Sequence, residues 1–80
     1  METSKQVQQI VGDLLDIDIK KINADTQLQD LAGWDSLAQL KIISAIEQEF
    51  GVSATMKQIS QLNSIFAITL FVEDSHPVRH

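Results

Sequence analysis

The residues with the most chemical potential in this 80-residue chain are Gly33-Trp34-Asp35-Ser36-Leu37, where a polar stretch meets an amphipathic one. A serine at that place can hold an attached phosphate, because the dipole and unpaired N–H groups of a helix N-terminus favour negative charge. Its hydroxyl is a poor nucleophile with no base nearby, so another enzyme would have to make the modification. Both polar residues also have a purely structural reading. Asp and Ser are preferred N-caps, and Ser36 with Gln39 fits a capping box. If Ser36 is the cap, its oxygen turns into the helix. If Asp35 is the cap, Ser36 becomes the first helical residue and its hydroxyl points outward. Trp34 reads as a loop anchor.

Other chemistry is poorly supplied. The only histidines, His76 and His80, sit in the C-terminal tail, whereas a catalytic base must be held rigidly within hydrogen-bond reach. Three scattered glycines make no phosphate-cradling loop, and the acids do not follow a calcium-loop spacing. With no cysteine there is no disulfide, thiolate metal site or thiol nucleophile. These absences argue against an enzyme with its own active site. Eleven acids against six bases give a net charge of -5. Nucleic acid and anionic membrane surfaces require a basic face, so neither suits this chain, while a basic protein partner would be attracted. Met1-Glu2-Thr3-Ser4-Lys5 lacks the layout of a secretion signal. The longest strongly apolar run, Ile65 to Val72, is too short to span a bilayer. The expectation is a cytoplasmic monomer.

The elements that must position Ser36 follow from periodicity. Val7, Ile10, Val11, Leu14 and Leu15 make an apolar helical face, with Thr3 and Gln6 as a capping box and Gly12 on the solvent side. Residues 16–35 carry no long period and hold five acids, Asp16, Asp18, Asp25, Asp30 and Asp35. Ile17, Ile22, Leu28 and Leu31 can pin this connection to a core, with a helical turn near Leu28 to Leu31. From Asp35 to Phe50 the helical period returns, with Leu40, Ile43, Ile46 and Phe50 facing inward and Gly51 as a left-handed stop. Thr55 to Gln61 fits a short helix burying Met56 and Ile59, and Asn63 or Ser64 caps a last helix through Val72. The predicted fold is all-α, a small up-and-down four-helix bundle with a long first loop. It forms one domain over residues 1–73, followed by a flexible tail at 74–80.

The order of these elements resembles the acyl carrier protein family over about residues 4 to 73. The matching residues are Asp35-Ser36-Leu37 at the start of helix two, Asp25-Thr26-Gln27-Leu28 with Asp30-Leu31 in the loop, and Ala45-Ile46-Glu47-Gln48-Glu49-Phe50 closing helix two. The resemblance implies that a phosphopantetheinyl transferase moves 4′-phosphopantetheine from coenzyme A to Ser36. The thiol ending that arm would let a cysteine-free chain carry acyl or aminoacyl groups. Asp35 would help the transferase position the metal-bound coenzyme, and Leu37 would be an apolar contact for partner enzymes. Those partners would be an acyl or aminoacyl ligase, an acyltransferase or a synthase.

One departure narrows the reading. The outward face of helix two carries Leu37, Ala38, Lys41, Ala45 and Gln48. Fatty acid carriers often place acids around the positions of Ala38, Lys41 and Gln48. Here the one charge on that face is positive, with Glu47 and Glu49 at its flanks. Complementary charge sets encounter rate and partner choice, so docking on basic patches of general fatty acid enzymes would be weakened. Leu37, Lys41, Glu47 and Gln48 are the expected partner contacts. The expectation is a carrier for a specialised polyketide, nonribosomal peptide or modified-lipid pathway. An aminoacyl or peptidyl carrier, or an unmodified docking module, is the alternative. Ile43, Ile46, Ile59, Ile65 and Ile68 could line an inner pocket, although ordinary core packing accounts for each.

Overall fold

A computed structural model describes residues 2–75. Four α-helices run as α1 (Glu2–Leu15), α2 (Ser36–Phe50), α3 (Met56–Gln61) and α4 (Ile65–Ser75). Among the described residues there is no strand, only an isolated antiparallel bridge between Gln27 and Ser64. Helix α1 packs on both α2 and α4, and α3 leans on α2. The all-α expectation holds.

The ends of these helices have local causes. Helix α1 stops because Asp16 adopts a left-handed conformation, φ 57°, and the Ile17 N–H reaches back 2.9 Å to the Gly12 carbonyl. This is the Schellman closure, with Asp in place of the usual Gly. Gly51 ends α2 the same way at φ 67°, the Val52 N–H bonding the Glu47 carbonyl at 3.2 Å. Thr55 starts α3 through a complete capping box with Gln58. The Ser64 Oγ accepts the Ala67 N–H at 3.0 Å and starts α4. That helix is rich in β-branched residues, yet it runs on past Val72 through Asp74 to Ser75. The Thr69 hydroxyl donates to the Ile65 carbonyl at 2.8 Å, which removes the penalty of burying it. Pro77 and the histidines lie outside the described residues.

The core is aliphatic: Val7, Val11, Leu28, Ile42, Ile43, Ile46, Ile65 and Ile68 are fully buried. Four expectations about α1 and α2 are corrected. Thr3 lies inside α1, whose first residue is Glu2, so its backbone is already helical and it does not cap the helix. Gly12 is buried. The closing loop crosses it so closely that a Cβ there would sit 2.8 Å from the Ile17 oxygen. Leu14 is exposed, because Ile17 and Ile22 from the loop fill that end of the core instead. On α2 the buried face centres on Ile42, Ile43 and Ile46. Ile42 was missed there, and Leu40, at the margin of that face, is exposed.

The long connection is held by two short devices. A 3-10 turn at Ile19–Lys21, not anticipated, is capped by the Asp18 carboxylate on the Lys20 N–H. A second at Leu28–Asp30 buries Leu28 where a turn was expected. Around the bridge, the Leu28 N–H bonds the Asn63 carbonyl and the Ile65 N–H bonds the Thr26 carbonyl, each at 3.0 Å. The loop before α2 is thereby stitched to the α3–α4 junction.

Candidate functional site

Gly33, at φ 83°, delivers Asp35 to the N-cap of α2. The Asp35 Oδ1 accepts the Ala38 N–H at 2.7 Å, and the Gln39 N–H bonds the Asp35 carbonyl at 2.9 Å. This decides between the two capping possibilities. Ser36 is the first helical residue and is exposed, so its side chain stands outside the helix at its positively polarised end. The capping box of Ser36 with Gln39 does not form, because Ser36 already lies inside the helix and the Gln39 side chain is engaged elsewhere.

That engagement organises the surroundings. The Trp34 indole N–H donates to the Gln39 Oε1 at 3.0 Å. The Gln39 Nε2 donates to the Leu62 carbonyl at 2.7 Å and more weakly to the Ile59 carbonyl at 3.3 Å. One amide therefore ties the loop before α2 to the last turn of α3. Trp34 is the half-buried anchor expected of it. Read from sequence only as a capping-box partner of Ser36, Gln39 carries a second signal: it lies three and four residues before Ile42 and Ile43, a polar residue on the buried face.

Beside Ser36 lies a cleft of about 420 Å³ between α2 and α3, whose apolar walls are Trp34, Leu40, Met56 and Ile59. Met56, expected to be buried, is 76 % exposed. Helix α3 has only six residues and none is buried, so it shields little of its own apolar surface. Of the inner isoleucines, Ile43, Ile46, Ile65 and Ile68 are core, while Ile59 is half-buried and lines the cleft.

Leu37 is 60 % exposed, directly after Ser36. Lys41 and Gln48 are exposed on the same helix, and Ala38 and Ala45 are half-buried. Glu47 differs from the other expected contacts. It is half-buried, and its Oε2 accepts the Ala54 N–H at 2.7 Å, which draws it toward the α2–α3 loop.

A family model described as a phosphopantetheine attachment site matches residues 5–72. Over 73 residues the chain is 32 % identical to an acyl carrier protein of Solidesulfovibrio magneticus, an overlap covering 91 % of this chain and 94 % of the relative. The chain belongs to the acyl carrier protein family. Its cofactor is covalently attached 4′-phosphopantetheine, which supplies a thiol for thioester chemistry. The residues present suit such a group: an exposed serine at a helix N-terminus, beside a cleft with both apolar and amide surface. Carriers of this family work with a phosphopantetheinyl transferase and with biosynthetic enzymes, and are in general not themselves catalytic. Among the described residues, no helix is long and apolar enough to cross a membrane, and no cluster of three His, Cys, Asp or Glu side chains could hold a metal.

Proposed function

We propose that Ser36 is the attachment point of 4′-phosphopantetheine and that the protein shuttles acyl groups between enzymes of a specialised pathway rather than in bulk fatty acid synthesis. The observation that carries this reading is Asp35, not Ser36, serving as the N-cap of α2. One Asp35 oxygen is committed to Ala38, which leaves the other to face a visiting phosphopantetheinyl transferase and its metal-bound coenzyme. Ser36 Oγ receives the group, and the protein performs no catalysis of its own. Leu37 gives partner enzymes an apolar contact, with Lys41 and Gln48 beside it. Glu47 contributes at the end of α2, where its carboxylate also fixes the α2–α3 loop. A positive outward face disfavours docking on basic patches, and this supports a dedicated ligase, acyltransferase or synthase. The protein acts as a cytoplasmic monomer, its domain taking in α4 through Ser75 rather than ending at residue 73.

Incubation with coenzyme A and a broad-specificity transferase, read by intact mass, tests the attachment. The expected result is a gain of one phosphopantetheine that Ser36→Ala removes. No gain in the wild type would leave a docking module. Loading with candidate acids or amino acids by a partner ligase then separates an acyl from an aminoacyl or peptidyl carrier. For the pathway, a general malonyl transferase should load the protein slowly and gain speed with Lys41→Glu. Rapid loading unaffected by Lys41→Glu would contradict the specialised assignment.

A further inference from the structure

Helix α3 packs Ile59 partly against the core, and polar bonds pin both of its ends to α2. It buries no residue. At its leading end the Glu47 carboxylate holds the Ala54 N–H at 2.7 Å. At its trailing end the Gln39 amide holds the Leu62 and Ile59 carbonyls. These two staples sit about two turns apart along α2. Gln39 also accepts the Trp34 indole N–H, so one side chain fixes both margins of the cleft beside Ser36. Behind the cleft the core is closed, since Ile43, Ile46, Ile65 and Ile68 show essentially no surface.

We infer that Gln39 is a specificity-determining residue: its bonds to Trp34 and α3 hold the cleft at its present width and bias the carrier toward short acyl groups. This rests on Ser36 being the attachment point. A short chain fits within the roughly 420 Å³ between Trp34, Leu40, Met56 and Ile59. A longer one must leave its far end in water or break the Gln39 bonds and displace α3. Removing the amide lifts that opposition, and each further methylene then gains from burial.

The test loads wild type and Gln39→Leu with butyryl- or dodecanoyl-phosphopantetheine, using a broad transferase and the acyl-coenzyme A, with intact mass verifying each product. The readout is the difference in thermal midpoint between the dodecanoyl and butyryl forms. That difference should be larger in Gln39→Leu than in wild type by about 5 °C or more. Reading the difference separates specificity from stability, since a purely structural role would lower both forms alike. Should Gln39→Leu not fold, Trp34→Phe, which removes the indole donor and trims part of the ring, should move the difference in the same direction by less. Equal differences in wild type and variant would overturn the inference.

A failure to load would instead contradict the attachment reading, and the unloaded chain still tests the latch. In Gln39→Leu, hydrogen exchange of the Trp34 indole and the Ile59 and Leu62 amides should quicken tenfold or more, with α1 unchanged. Unchanged exchange at those three sites would refute the latch itself.

Discussion

The contact of α1 with α2 and α4 and the contact of α2 with α3 are built from different interactions. The first buries Val7, Val11, Ile42, Ile43, Ile46, Ile65 and Ile68 in an aliphatic interior. The second leaves Leu37, Leu40 and Met56 exposed and relies on Gln39 and Glu47 for its joints. The contrast teaches that the fold does not depend on the surface proposed to meet partner enzymes. A carrier must present one residue to many enzymes, so its working face has to stay uncovered while stability comes from the opposite side.

The sharpest way to test that division is to damage the core. Ile46→Ala should cost about 2–5 kcal/mol, a large share of the stability of a domain this small, read as a fall in the urea midpoint. Next comes Gly12→Ala, where two physical effects oppose one another. Alanine in a helix would add up to about 1 kcal/mol, whereas the 2.8 Å approach to the Ile17 oxygen sets a steric cost of about 1–3 kcal/mol. The close contact is with backbone, which cannot swing aside, so net destabilisation is expected in thermal melts. A gain in stability would show the α1 closure to be looser than described.

On the working face the effects shrink. Asp35→Ala removes the bond to the Ala38 N–H and should cost about 1 kcal/mol by chemical denaturation, with Asp35→Asn restoring most of it. Met56→Ser should change stability by no more than about 0.5 kcal/mol, because the side chain is 76 % exposed. A loss comparable to that of Ile46→Ala would erase the distinction between the two regions.

Much of this arrangement is legible in the amino-acid order, and the failures share a cause. The period of α2, the Gly51 stop and the short helix near Thr55 depend on neighbours within one or two turns, and all three can be read locally. The role of Asp35 was narrowed to a choice that only backbone geometry could decide. Gly12, Leu14, Leu40 and Met56 were misplaced because their burial depends on which distant segment covers them. Gly12 meets the returning Ile17, while Leu40 faces, and Met56 belongs to, a six-residue helix too short to bury either. The Gln39 bonds span 20 and 23 residues of sequence, beyond the reach of any periodic pattern. A polar side chain among isoleucines was the one hint.

The central claim concerns where the arm is attached. Peptide mapping by mass spectrometry after transferase treatment, run beside thermal melts of wild type and Ser36→Ala, addresses it most directly. The account predicts the added mass on the peptide containing Ser36, none in Ser36→Ala, and near-identical melting of the two unloaded proteins. Added mass on another serine, or its persistence in a folded Ser36→Ala protein, would contradict it.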